Sequence, residues 1–365
     1  MRIFYTTAKS YPATTADHIY IRELSKGFIT TGSDFQLIVN RRGADLLGIP
    51  TIELLAKGST TLSFLFWLIR FRFSGNQKDC VFIANDFNLI TVLVWVKRIL
   101  RFKYKICSDW HMMTDSWKDS LVAKGSDILV TTSDRLRNII TSKFPMVAKK
   151  IFTVRGGVDP NLFKAIESRA QADLRRELHL PVDGFLVGYV GLFKTIGMEK
   201  GIGTMIESIR FAKMPITYVF VGGTGEEIKE YLEYAESQGV QDRCLFVSRQ
   251  EYEKVALYEK ALDVLVIPYP DTPHFADYGF PMKVYEYMAS GTPIVYSDLE
   301  IIGEVLKNFG TPFVPGDPES LTRALETALR SRKKNVFDIG NFTWEAKARA
   351  VASLVKGQSF PNQTL

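Results

Sequence analysis

Lys283 and Glu286, three residues apart, open a short segment bounded by Pro281 and Gly291. Proline suits the first turn of a helix, where its missing N–H costs nothing, and a glycine followed by Pro293 marks a helix end. The pattern predicts a helix over 282–290, with both charged side chains on one face near its start. Free backbone N–H groups and the helix dipole favour phosphate at that end. Glu286 can accept both hydroxyls of a ribose while Lys283 reaches a neighbouring oxygen, so the pair has the chemistry of a nucleotide grip. The competing reading is a surface ion pair contributing only about 0.3–0.5 kcal/mol.

A second candidate stands in YKICSDWHMMTD (104–115). The run 104–108 reads as a strand, and His111 comes three residues after it. Ligands of open parallel sheets bind beyond the carboxyl ends of the strands, which places His111 at the edge of a site. The competing reading is a satisfied structural histidine. Asp109 and Asp115 in the same loop are suited to orient an imidazole or an acceptor.

The elements that must position these residues alternate along the chain. Strand-like runs at 2–6, 35–39, 80–84, 104–108, 127–131 and 151–155 are separated by helical patterns that include 16–30, 62–73, 87–101 and 134–144. After a polar stretch at 164–185 the alternation restarts. Strands are expected at 186–191, 217–222, 244–247, 263–268, 293–297 and 311–314, and helices at 201–212, 225–238, 250–261, 282–290, 300–308 and 318–331. Continuous apolar strands between helices signify parallel sheets covered on both faces. The fold class is therefore α/β, with two doubly wound, Rossmann-like domains facing a cleft. The expected division is 1–165, 166–340 and a closing helical segment 341–365 that packs back toward the N-terminal domain.

A chain of 365 residues exceeds one hydrophobic core, in keeping with two domains. Its 46% hydrophobic and 24% charged content is that of an ordinary globular protein. Cys80, Cys107 and Cys244 lie far apart in apolar runs, which suits reduced thiols and a cytoplasmic setting. MRIFYTT has no cleavable-leader pattern. The greasiest run, 62–73, holds 12 residues interrupted by Arg70 and Arg72, where a membrane span needs about 20. Between 62 and 105 stand eight basic residues (Arg70, Arg72, Lys78, Lys97, Arg98, Arg101, Lys103, Lys105) against Asp79 and Asp86, an excess equal to the +6 of the whole chain. Two readings stand: greasy helices whose cationic edge rests on anionic lipid, or core helices with solvated ends. The cations form no dedicated strip with free aromatics, so nucleic acid is not an expected partner.

PMKVYEYMASGTPIV (281–295) resembles the donor-binding signature of retaining glycosyltransferases of the GT-B fold, in the large group called family four. Other segments resemble that family in order. GLFKTIGMEKGIGTMIES (191–208) looks like its phosphate loop and following helix, and FVGGTGEEIKEYL (220–232) like its next strand and turn. The stretch 244–268 looks like the region near the base, and FTWE (342–345) like the start of the crossover helix. The likeness covers most of 185–355. It implies that Lys200 neutralises the leaving diphosphate and that Glu286 binds the ribose. The backbone of Gly279, Phe280 and Pro281 would face the sugar and diphosphate, Ser248 and Arg249 would hold the base, and His111 would lie near the donor sugar. RGGVD (155–159) resembles the family's interdomain linker, with Asp159 as a cap. Fixed cations stabilise the charge that develops on a leaving phosphate, so no metal and no further cofactor are expected.

Departures are equally specific. Thr14 and Thr15 stand where the family has glycines, and Leu192 where an arginine usually follows the loop glycine. Lys194 is the candidate second cation. Tyr278, eight residues before Glu286, replaces the first of two glutamates and is counted among the donor-side residues. The leading expectation is a metal-independent hexosyl transfer, with retention, from a UDP- or GDP-sugar to a glycan or lipid-linked acceptor in envelope glycan or polysaccharide synthesis. Such an enzyme would be cytoplasmic and, in the lipid-docking reading, peripheral at an anionic membrane surface. The alternatives are a non-catalytic glycosyltransferase-like subunit and a sugar-nucleotide epimerase on the same fold.

Overall fold

A computed structural model of the chain describes residues 1–13, 15–73, 79–331 and 337–358; Thr14 and Lys78 lie outside them. The chain divides into two compact units. One comprises Met1–Gly157, Asp277–Phe280 and Gly340–Leu365, the other Val158–Ala276 and Pro281–Ile339.

The first unit starts with β1 (Arg2–Thr6), α1 (Ala16–Thr30), β2 (Phe35–Val39), β3 (Thr51–Glu53) and α2 (Thr60–Phe73). It continues through β4 (Cys80–Ala84), α3 (Phe87–Ile99), β5 (Lys105–Trp110), α4 (Trp117–Gly125), β6 (Ile128–Thr131), α5 (Asp134–Lys143) and β7 (Ile151–Thr153). The seven strands form one parallel sheet in the order β3-β2-β1-β4-β5-β6-β7. Buried Phe4, Phe82, Ile106 and Leu129 project from neighbouring strands onto Phe64, Leu68, Ile90 and Leu93 of the covering helices. Asp86 starts α3 by accepting hydrogen bonds from the N–H groups of Asn88 and Leu89. β5 pairs with β6 as far as Trp110, two residues beyond its expected end, because Trp110 is buried and its indole bonds Ser108 at 2.8 Å. His111 is consequently the first residue after the strand, not the third.

The second unit opens with α6 (Pro160–Lys164), whose start Asp159 caps through the N–H of Asn161 at 2.9 Å, and α7 (Gln171–Glu177). Then follow β8 (Phe185–Val190), the two-residue strands β9 (Lys194–Thr195) and β10 (Met198–Glu199), α8 (Ile202–Ser208), β11 (Ile216–Gly223) and α9 (Gly225–Ser237). The remainder is β12 (Cys244–Ser248), α10 (Tyr252–Ala261), β13 (Val264–Ile267), α11 (Lys283–Ser290), β14 (Ile294–Ser297), α12 (Glu300–Leu306), β15 (Thr311–Phe313) and α13 (Pro318–Ser331). Six strands form a parallel sheet, β12-β11-β8-β13-β14-β15, while β9 and β10 make a separate antiparallel hairpin. The order reverses between β8 and β13, the position where ligands of doubly wound sheets bind.

The chain ends its described course in the first unit with α14 (Trp344–Lys356), capped by Thr343 through the N–H of Ala346. α14 lies on α1 so closely that a Cβ on Gly27 would meet the carbonyl of Trp344 at 2.6 Å. No helix among the described residues is long and apolar enough to cross a membrane.

Candidate active site

Lys283 starts α11, and its ammonium sits over the rings of Tyr189 and Tyr287, 5.0 and 5.8 Å from their centroids. It has room only because Gly191, at the end of β8 with φ of 144°, has no side chain: a Cβ there would stand 2.1 Å from Lys283 Nζ. Tyr287 is fixed in turn by bonds between its hydroxyl and the backbone of Val190, and Tyr189 by its hydroxyl bond to Leu192 O at 2.8 Å. Lys200 lies over the ring of Tyr269, just beyond β13. Burial and the neighbouring Lys283 charge pull its pKa down to about 7, against the opposing pull of Glu227. The structure thus brings Lys200 and Lys283 together around the loop after β8.

Glu286 is one turn along α11 and buried. Burial raises its carboxyl above the usual range, while Lys283 and a hydroxyl bond from Tyr252 pull it back. Behind it lies a residue that the sequence did not disclose. Glu259 of α10 is 0% exposed, and neither of its carboxyl oxygens has a hydrogen-bond partner among the described residues. Burial and the nearby Glu286 push it well above the carboxylate range, although Lys283 opposes them. Two acids therefore share one buried lysine, and burial raises both carboxyls above the usual range. In the sequence Glu259 reads as one charge on the polar face of an ordinary helix.

Other expected residues fall differently. Lys194 lies on the β9–β10 hairpin, where it pairs with Glu230 at 2.6 Å and stands over the ring of Tyr231. The start of α8 is not open to phosphate. Glu199 accepts the N–H of Gly201 at 2.7 Å and that of Gly203 at 2.9 Å, using donors that an anion would need. Arg249 is exposed, its N–H bonding Gly223 O at 3.2 Å, and Ser248 ends β12. Pro281 precedes α11 and accepts from the N–H of Val284 at 3.1 Å. Tyr278, Gly279 and Phe280 belong to the first unit, where Tyr278 packs on the hydrophobic core and the adjacent Asp277 pairs with Arg135 at 2.8 Å.

His111 belongs to a second cluster, also in the first unit. Its Nε2 lies 3.3 Å from Oδ1 of buried Asp109, without hydrogen-bond geometry, and its ring meets Tyr20 edge-on at 4.6 Å. Asp109 Oδ2 accepts from the hydroxyls of Tyr20 at 2.8 Å and Tyr5 at 3.2 Å. Burial would raise the Asp109 carboxyl, but His111, Lys347 and the Tyr20 bond together hold it below the usual range. Lys347 of α14 is itself buried, its pKa pushed down to about 8, and it donates to Val154 O at 2.6 Å. A carboxylate held ionised beside an imidazole fixes the orientation of the ring. Asp115 takes no part in this cluster and pairs with Lys143 at 2.9 Å.

Residues 170–337 match the family described as glycosyl transferases group 1. The chain is similar to the D-inositol 3-phosphate glycosyltransferase of Corynebacterium urealyticum, 23% identical over 252 residues that cover 64% of this chain and 58% of the relative. It is similar to the amylovoran biosynthesis glycosyltransferase AmsK of Erwinia amylovora, 23% identical over 317 residues, 85% of this chain and 72% of the relative. Over the first curated relatives it spans little more than half their length, 50%, 58% and 59%. Among solved structures, HepE of Anabaena in complex with UDP-glucose superposes with a TM-score of 0.69 at 16% identity, covering 97% of this chain and 94% of that one. The likeness shows the GT-B fold, with its two Rossmann-like parallel sheets.

Proposed function

From the premise that residues 170–337 form a glycosyl transferases group 1 domain, we propose that this chain is a retaining, metal-independent glycosyltransferase moving a hexose from a UDP- or GDP-sugar to an acceptor hydroxyl. One observation carries the reading: Lys200, Lys283 and Glu286 converge where β8 and β13 end. In this reading Glu286 accepts the ribose hydroxyls, and the two ammonium groups receive the diphosphate. The bond from the sugar C1 to the β-phosphate oxygen breaks as the acceptor oxygen bonds C1 from the same face. The acceptor proton passes to the departing phosphate oxygen. Charge thus grows on that phosphate in the transition state, where preorganised cations are most effective. His111, oriented by Asp109 and Tyr20, polarises the sugar side without abstracting the proton. The backbone of Gly279, Phe280 and Pro281 serves the sugar and diphosphate, and Arg249 the base.

Two findings support the donor and acceptor classes. HepE is seen with UDP-glucose, and AmsK is named for amylovoran biosynthesis. An envelope glycan or a lipid-linked sugar, met in the cytoplasm at a membrane face, is the acceptor class proposed. The pairing of Lys194 with Glu230 and the presence of Leu192 in place of an arginine favour one second reading, a nucleotide-binding subunit without catalysis. Thermal shift with UDP, GDP, ADP and dTDP identifies the base, since a ligand of the folded state alone raises the melting temperature. Sugar-nucleotide turnover is then compared in wild type, Lys200→Ala and Glu286→Ala. Turnover that falls at least 100-fold in both variants is expected. Unchanged turnover in either refutes the assigned roles, and nucleotide binding without turnover on a broad donor and acceptor panel moves the chain to the second reading.

A further inference from the structure

Helix α2 has two apolar faces where a surface helix needs one. Phe64 and Leu68 are buried in the core. Leu62, Phe66, Ile69 and Phe73, spaced i, i+4, i+7 and i+11, form a second stripe in which Phe66 is 65% and Phe73 80% exposed. Helix α3 repeats the arrangement. Leu89, Ile90, Leu93 and Val94 are buried, while Trp95 and Ile99 are 47% and 70% exposed. Leu65 and Ile69 of α2 and Val92, Trp95, Ile99 and Leu100 beside them enclose a groove of about 350 Å³ with no polar surface. A contiguous apolar patch of this kind on a water-facing surface marks a binding site.

The charges beside the groove identify the occupant. Arg70 near the end of α2, Arg98 in the last turn of α3, and Arg101 and Lys103 just after it are exposed and have no ion-pair partner among the described residues. Lys97, by contrast, is paired with Asp127 at 2.6 Å. The local carboxylate Asp86 is committed to capping α3. A second copy docked through a two-fold axis would bring like-charged clusters toward one another, an arrangement that is repulsive. The polar side chain lining the groove, Thr91, spends its hydroxyl proton on Phe87 O at 2.6 Å, so a polar small molecule is poorly served there. An anionic bilayer satisfies both features, with phosphates for the cations and hydrocarbon for the groove. We propose that the α2–α3 face docks on an anionic membrane surface and seats a lipid hydrocarbon chain in the groove. This surface gives a lipid-linked acceptor a place to be met, and so deepens the acceptor reading, yet it is tested without any turnover.

The test uses the whole protein with vesicles of phosphatidylglycerol and phosphatidylcholine, and with phosphatidylcholine alone. Flotation is expected with the anionic vesicles and not with the neutral ones. Each surface cation strengthens binding roughly fivefold, so Arg98→Gln with Arg101→Gln together should weaken it about 25-fold. Phe66→Glu with Ile99→Glu should abolish it; both positions are solvent-facing, and an unchanged melting temperature verifies the fold. Trp95 reports depth: lipids brominated along the acyl chain should quench fluorescence in wild type more than in Trp95→Phe. Equal flotation on neutral vesicles, or binding with no quenching of Trp95, overturns the proposal. So does a concentration-dependent dimer that Ile99→Glu disperses, because the patch would then belong to a second copy.

Discussion

Lys200 gives the proposed nucleotide site a pH dependence of calculable size. Its pKa is drawn down to about 7 by burial and by Lys283, so the ammonium is half deprotonated near neutrality. A diphosphate laid against it restores the charged form, and binding above pH 7 must therefore take up a proton. If the bound state holds the ammonium fully, affinity falls by the factor 1 + 10^(pH − 7), roughly tenfold at pH 8 and roughly a hundredfold at pH 9, at about 1.4 kcal/mol per unit. The ligand does not supply this slope, since a terminal phosphate has its second pKa near 6 and is fully ionised above neutrality. The assay is calorimetric titration of the preferred nucleoside diphosphate from pH 6.5 to 9, repeated in buffers of different ionisation enthalpy to count the proton. Lys200→Gln should bind more weakly at pH 6.5 and lose one proton's worth of slope. The unliganded protein shows the linked sign. The folded-state pKa is below the ordinary 10.5, the unfolded chain holds more protons between about 7 and 10.5, and Lys200 makes stability rise with pH across that window. Affinity that is level from pH 6.5 to 9, or a slope that persists in Lys200→Gln, refutes the reasoning.

Two further outcomes concern stability. Glu259 has a folded-state pKa raised above the ordinary 4.5, so the folded chain keeps a proton that the unfolded chain releases, and its contribution worsens as pH rises above that value. Glu259→Gln should therefore raise urea stability at pH 8 by about 1–3 kcal/mol, with the gain vanishing near pH 4; a lower midpoint at pH 8 would show that Lys283 holds the carboxylate charged. Gly201 and Gly197 both have positive φ, 88° and 75°, but a Cβ on Gly201 would stand 1.7 Å from Pro268 O whereas Gly197 faces open space. Gly197→Ala should cost about 1 kcal/mol and Gly201→Ala more than about 3 kcal/mol; equal costs would remove the close approach as the cause.

Both sheets were legible because their strands are buried on both faces and read as continuous apolar runs such as CVFIA and DVLVIP. The helices between them followed to within a residue or two at most ends. The polar stretch 164–185 concealed α7, whose residue Arg175 is buried and spends its guanidinium on Ala261 O at 2.9 Å, Val182 O, Gly184 O and Asp263. Charge inside a structure does not look different, in sequence, from charge outside it. The same limit applies to the site. Helix spacing singles out Lys283 and Glu286 as candidates, and a family resemblance singles out Lys200. Glu259 and Lys347 were missed, since YEKALD and EAKARA read as solvated helix faces. The hairpin β9–β10 carries no alternation because two-residue strands are too short to show one. Tyr5 and Tyr20 read simply as core residues, although their hydroxyls secure Asp109.

The packing of α14 on α1 has a consequence for the order of events at the ribosome. The face of α1 that approaches Trp344, with Tyr20 5.5 Å from its ring, leaves the exit tunnel roughly 300 residues before its cover does. At about 5–20 residues per second that is a wait of about 15–60 s. During that interval the whole second unit is synthesised while the first remains unfinished, with the carboxylate of Asp109 still lacking the charge of Lys347. The first unit therefore cannot mature strictly from front to back, and α14 acts as a seal applied to a helix made long before it.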